Sequence, residues 1–184
     1  MPRRSRGFAP IAAPDARVLI LGSLPGQVSL AHRQYYAQPH NAFWRIMGAL
    51  FDAGPEWPYE DRAARLEARG VALWDVCRAA VRPGSLDSAI DLRSVLPNDF
   101  RTFFRTHGAI TAVFTNGGTA TRLYTRCVLP GLAEPARSLP LHPLPSTSPA
   151  HASLRFDQKL ARWQVVATAA AGAGQPDAAG ARRG

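Results

Sequence analysis

The residues of this chain best suited to chemistry are mostly neutral and fall between apolar runs. Tyr35 and Tyr36 offer flat rings, Asn41 and Asn116 each pair a donor with an acceptor, and Asp75 adds a carboxylate. Ser146, Thr147 and Ser148 supply hydroxyls just ahead of Pro149. Gly22, Ser23 and Leu24 open the stretch GSLPG, where Gly26, like Gly117 and Gly118 farther on, lets backbone approach a ligand closely. Stacking planes, amide edges and hydroxyls beside an expected helix start suit a flat heterocycle on a phosphate-bearing chain, such as a nucleobase drawn out of a duplex. Stacking on an aromatic contributes about 1–3 kcal/mol per base. That offsets much of the few kcal/mol needed to unstack a damaged one.

Several other chemistries find no support in the sequence. GSLPG does not keep the G-x-G-x-x-G spacing of a dinucleotide loop, and neither a phosphate-loop lysine nor a G-x-S-x-G nucleophile elbow occurs. The two cysteines, Cys77 and Cys127, form no C-x-x-C pair and cannot alone complete a zinc or iron–sulfur site, so neither metal nor cofactor is expected. The single lysine, Lys159, is the one side chain able to form a Schiff base. Its expected place in the middle of the last helix, away from the strand ends, argues against covalent catalysis through an amine.

Alternating apolar runs and helical patterns must position these residues. RVLILGS (17–23), VALWDV (71–76) and AITAVFTNG (109–117) read as buried strands, and ARSLPLHPLPS (136–146) holds a short fourth one that its prolines confine to an edge. Phe43, Ile46, Met47, Leu50 and Phe51 form one helical stripe. Further helices are expected over 59–69, 97–108 and from Thr119 to about Leu129. A last helix is expected over 148–166, capped by Ser148 with Pro149 in its first turn. This pattern predicts an α/β fold, a three-layer α/β/α sandwich around a mainly parallel four-stranded sheet. Ligands in such folds sit beyond the carboxyl ends of the strands, where GSLPG, WDV, TNGG and LPSTSPA fall.

The chain has 184 residues, enough for one domain with a real core, and a net charge of +9, which suits a polyanion such as DNA. The reading divides it into a basic flexible arm (1–13), a folded domain (14–166) and a disordered Ala/Gly-rich tail (167–184). No apolar run is long enough to span a membrane and the N-terminus lacks a secretory pattern, so a cytoplasmic monomer is the expectation.

GSLPG, Tyr35-Tyr36, the P-x-N-x-F-W run of Pro39, Asn41, Phe43 and Trp44, and the distant LPSTSPA together resemble the uracil-DNA glycosylase superfamily. Within it they look most like the hypoxanthine-DNA (deoxyinosine) glycosylase family, as do LWDV, GSLDSAI (84–90) and FTNG (114–117). The resemblance implies the α/β/α fold and removal of deaminated bases from DNA. The positions that hold the familiar catalytic Asn or Asp of the first motif and the His of the second are Leu24 and Leu144 here, which argues against efficient uracil excision. By the same resemblance the catalytic asparagine falls on Asn41. Base contacts are expected from Gly22, Ser23, Leu24, Tyr36, Asp75 and Asn116, and DNA contacts from Ser146, Thr147, Ser148 and Pro149.

The expectation is a DNA glycosylase that releases hypoxanthine, cuts no strand, and takes lesion-bearing DNA as partner. The same fold acting on uracil or xanthine, a module that flips bases without cutting, and a small-nucleotide binder are the alternatives.

Overall fold

The computed structural model describes residues 4–172. β1 (Arg4–Arg6) starts the chain and β2 (Val18–Gly22) follows, every residue of β2 buried. The long connection that carries the tyrosines contains a short helix, α1 (Gln27–His32), which the sequence reading missed. α2 (Phe43–Phe51) buries Phe43, Trp44, Ile46, Met47 and Phe51, close to the expected stripe. α3 (Tyr59–Ala68) leads through Gly70, at φ +71°, into β3 (Val71–Asp75).

Directly after β3 come β4 (Cys77–Val81) and, beyond two single-turn helices, β5 (Leu96–Pro97). α4 (Phe100–Thr106) is capped by Asp99, whose carboxylate accepts from Thr102 N at 3.1 Å. β6 (Ala112–Asn116) is followed by α5 (Gly118–Leu123), which widens into a π turn over Tyr124–Val128. β7 (Leu141–Leu144) and α6 (Phe156–Ala171) complete the chain.

The central sheet has the order β3-β2-β6-β7 and all its pairings are parallel. Four buried apolar strands need cover on both faces, and the aromatic side chains show where it comes from. Phe43 of α2 meets Trp163 of α6 edge to face at 6.1 Å on one side. On the other, Trp74 of β3 packs on Phe100 and Phe103 of α4, both at 5.0 Å, and Phe100 meets Tyr124 at 5.7 Å. β7, with exposed Pro143, is the edge strand, as its prolines required.

Three boundaries depart from the sequence reading. Residues 4–13, expected as a flexible arm, are part of the fold: β1 pairs antiparallel with β4, Ile11 bridges Leu73, and Trp74 Nε1 donates to Phe8 O at 3.0 Å. This covers the open edge of β3, a contact that composition does not reveal. α6 does not start at Ser148; Arg155 precedes its first turn, and residues 148–155 form a looped segment. Its far end runs to Ala171, so 167–171 is helix and not tail, while 173–184 lie outside the described residues. Among the described residues no helix is long and apolar enough to cross a membrane.

Candidate nucleobase-binding cleft

A cleft of about 540 Å³ opens at the carboxyl ends of the parallel strands, within the range of small-ligand sites. Gly22, Ser23, Leu24, Tyr36, Asn41, Asp75, Asn116, Ser146, Thr147, Ser148 and Pro149 all line it. Leu144 is buried below, paired with Asn116 in the sheet.

The floor is built where β2 and β3 end side by side. Gly22 pairs with Asp75 across the two strands. A Cβ on Gly22 would collide with Asp75 Oδ1 and lie 2.8 Å from Tyr36 Oη, so only glycine leaves room for both groups. Asp75 is 3% exposed, and its Oδ2 is buried with no hydrogen-bond partner among the described residues. Burial, with Asp87 adding repulsion and Arg82 opposing it, pushes the carboxyl up to about 7. Tyr36 Oη is likewise buried and unpartnered, although the Asn116 amide approaches it. Burial holds this phenol well above its ordinary range, so it stays a neutral donor. Two orphaned oxygens on one floor are costly unless a ligand pairs them.

Tyr36 takes a left-handed backbone conformation at φ +53°, uncommon for a bulky residue, and its ring stacks on Phe43 at 4.0 Å. Tyr35 turns the other way into the core: its hydroxyl donates to Ala9 O, and its carbonyl accepts from Trp44 Nε1 at 2.8 Å. Both tyrosines border the cleft, but the Tyr35 hydroxyl is spent on fixing the loop, whereas that of Tyr36 is left unpartnered beside Asp75.

Asn41 accepts at Oδ1 from Phe43 N at 3.0 Å, a local turn bond that leads the chain into α2, whose N-cap is Ala42. Its Nδ2 makes no hydrogen bond among the described residues and remains a donor at the cleft wall. Ala42 N donates to Thr147 O at 3.0 Å, tying this wall to the LPSTSPA segment.

Asn116 is mostly committed to that same segment. Its Nδ2 donates to Thr147 Oγ1 at 2.8 Å and its Oδ1 accepts from Thr147 N at 2.9 Å. Next to it Gly117, at φ +93°, lies where a Cβ would be 3.0 Å from Ser146 Cβ. Ser146 Oγ accepts from Ser148 N and Ser148 Oγ from Ala150 N, both at 3.2 Å. The helix start expected beside these hydroxyls is therefore corrected, and the segment offers phosphate no N–H from 147, 148 or 150, which are already used within the protein. The half-buried Ser146 and Ser148 hydroxyls remain as donors, whereas Thr147, expected as a DNA contact, is buried against Asn116 and holds the loop instead.

Lys159 also stands differently from its expected mid-helix place. Because α6 starts at Phe156, Lys159 is in the first turn, 5% exposed, with Nζ donating to Ser148 O at 3.4 Å. It braces the back of the loop and does not line the cleft.

Sequence reasoning missed Arg82. This guanidinium is buried, donates to Leu24 O at 3.0 Å, to Pro25 O, and to Asp87 Oδ1 at 3.2 Å, and so fixes the GSLPG backbone. An arginine between Ala79-Ala80-Val81 and Pro83-Gly84 carries no local sign of burial; only its adjacency to GSLDSAI hinted at a role. That segment forms the opposite rim, held by Gln27 N donating to Ser85 Oγ at 3.0 Å and Gln27 Nε2 to Gly84 O at 3.2 Å. Among the described residues no group of His, Cys, Asp and Glu could hold a metal ion.

A model of the uracil DNA glycosylase superfamily matches residues 9–167. A hypoxanthine DNA glycosylase of Methanosarcina barkeri is 39% identical over 47% of this chain and 56% of its own length. A protein of the same description from Methanosarcina acetivorans is 40% identical over 52% of this chain and 60% of its own. The chain thus spans less than two thirds of the curated relatives it matches. A solution NMR structure from Methanosarcina acetivorans, provisionally described as a uracil DNA glycosylase, superposes with a TM-score of 0.75 at 29% identity, covering 92% of this chain and 99% of that one.

Proposed function

Because the chain belongs to the uracil DNA glycosylase superfamily, we propose that it hydrolyses the N-glycosidic bond of deaminated bases in DNA, with hypoxanthine in deoxyinosine as its substrate. The observation that carries this reading is the pair of buried, unpartnered oxygens on the cleft floor, Asp75 Oδ2 and Tyr36 Oη. Each costs about 1–3 kcal/mol when left unpaired, which a complementary ligand returns on binding. Hypoxanthine presents an N1–H donor beside the O6 acceptor. Ionised Asp75 accepts from the first and neutral Tyr36 donates to the second. Adenine shows the reverse pattern along this edge, so its N1 lone pair meets the carboxylate's. The names of the two curated relatives support the same substrate.

Breaking the bond builds positive charge on the sugar and negative charge on the departing base. Tyr36 stabilises the developing charge on O6 through its hydrogen bond. Asn41 cannot take a proton at neutral pH; its free Nδ2 and its fixed orientation suit it to hold a water or the sugar in line. Water adds to C1′, the base leaves with the bonding pair and is protonated by solvent, and an abasic site remains. Lys159, held under the Ser148 loop, supplies no amine to the sugar.

Uracil carries the same donor–acceptor edge, and the NMR neighbour's description keeps it as the second reading. The test is to incubate the purified protein with duplexes containing inosine, uracil or undamaged adenine, then add alkali. Cleavage at inosine is the expected result. Preference for uracil would change the substrate, and tight inosine-duplex binding with no cleavage would make the protein a damage-binding module.

A further inference from the structure

A second concavity of about 1040 Å³ runs beside the cleft, between β1 and α1, and the functional reading does not account for it. Arg4, Arg6 and Arg33 line it. All three are exposed, and no carboxylate among the described residues pairs with any of them. Arg82, which borders both concavities, is already engaged by Leu24 O, Pro25 O and Asp87.

The geometry ties the groove to the cleft mouth. β4 leaves the end of β3 directly, with Cys77 N donating to Ser23 O at 3.0 Å, so the small sheet stands at the same end of the molecule as the cleft. Arg4 pairs with Val81, just ahead of the rim segment. α1 is the shared wall: Val28 and Ser29 face the cleft, while Gln27, Leu30 and Ala31 face the groove. Arg33 closes α1 at φ +54°, its N–H bonded to Ser29 O, which fixes its backbone at the groove. Three like charges held together without counter-ions from the protein favour an anion of matching length, and guanidinium forks fit phosphate oxygens.

We propose that this groove carries the phosphodiester backbone of duplex DNA flanking the nucleotide in the cleft. The contacts are to phosphate, so they set register and add affinity without reading sequence. This also gives the folding of residues 4–6 onto β4 a functional consequence, since it places two arginines at the groove. The proposal rests on the reading of DNA as substrate, and not on which base is removed.

The test uses the full chain and an undamaged duplex, with binding measured by fluorescence anisotropy between about 50 and 200 mM salt. Each phosphate contact contributes a slope of about −0.9 in log K against log salt. Arg4→Gln/Arg6→Gln/Arg33→Gln is therefore expected to flatten the slope by about 2–3. Arg4→Lys/Arg6→Lys/Arg33→Lys, which keeps the charges, is expected to retain most of it. A Gln variant with the wild-type slope overturns the proposal, and so does a Lys variant as flat as the Gln one. Thermal midpoints report folding. If the triple variant does not fold, Arg33→Gln alone is expected to remove about 0.9 from the slope, and no change there overturns the proposal equally. Salt-insensitive binding by the wild type would instead remove the DNA reading itself.

Discussion

Asn116 and Thr147 hold each other through two hydrogen bonds, 2.8 Å from Nδ2 to Oγ1 and 2.9 Å from the Thr147 N–H to Oδ1. The end of β6 is thereby clasped to the loop after β7, with both residues buried. Asn116→Ala leaves the Thr147 N–H and hydroxyl without partners and is expected to cost about 1–3 kcal/mol of stability. Denaturant unfolding measures this. A double-mutant cycle with Thr147→Ala is expected to give coupling above ~0.5 kcal/mol, and additive losses would show that the clasp has no energetic weight.

Asn41 combines an acceptor for Phe43 N, the first residue of α2, with a free donor, and two substitutions separate them. Asn41→Asp keeps an acceptor for Phe43 N and removes the Nδ2 donors, whereas Asn41→Ala removes both. Each is expected to lower single-turnover base release at least tenfold, since a lost transition-state donor costs ~2.7–4 kcal/mol. Only the Ala variant is expected to lose stability as well, by roughly 0.5–1.5 kcal/mol for the lost hydrogen bond to Phe43 N. Wild-type rates in a folded Asp variant would take the amide out of the mechanism.

Asp75 gives the protein an unusual pH dependence. Its folded value of about 7 lies above the ordinary 3.8, so between these values the folded state holds a proton that the unfolded chain has released. Its contribution to stability is greatest below about 4, falls as pH rises, and is fully lost above about 7. Asp75→Asn removes this term, so the variant is expected to gain in thermal midpoint over the wild type at pH 8 and to lose that advantage towards pH 4. Base release at limiting protein is expected to rise through pH 7 as the acceptor forms, and to be flat in the variant. Parallel stability curves for the two proteins would contradict the assignment.

Gly22→Ala tests the floor. The added methyl collides with Asp75 Oδ1 and crowds Tyr36 Oη, so both oxygens must move away from the base. Loss of excision by at least tenfold is expected, with weaker binding of an inosine duplex. Full activity would show that the two oxygens do not meet the ligand.

Lys159 predicts the product. With its ammonium lodged on Ser148 O outside the cleft lining, strand cleavage should require added alkali, and borohydride should trap no protein on DNA. Trapping that disappears in Lys159→Arg would reverse this.

Much of the scaffold was readable from local pattern alone. VLILG is a short continuous apolar run, and VALWD and AVFTN are apolar up to the polar residues that close them; a strand buried on both faces needs such a run wherever it is placed. The stripe on α2 and the closing prolines of β7 are equally local. Because ligand sites in parallel sheets lie beyond the carboxyl ends of the strands, the lining of the cleft followed from the same pattern. Side-chain commitments did not. That Asn116 spends its amide on Thr147, that the Tyr35 hydroxyl is committed to Ala9 O while that of Tyr36 is left unpartnered, and that Arg82 is buried all depend on neighbours far along the chain.

The same reason explains the misplaced boundaries. Ser148-Pro149 has the composition of a helix start, yet Ser148 Oγ and O are taken by Ala150 N and His151 N, which turns the chain before α6 begins. Arg4–Arg6 looks like a charged arm and becomes a strand only because β4 offers it an unpaired edge. Apolar periodicity is a property of neighbours in sequence, and it determined the sheet, its helices and the end where the cleft opens. Hydrogen-bond partnership and burial of single polar groups are properties of neighbours in space, so the tertiary structure alone decided which of these residues keep free polar groups at the cleft and which hold it together.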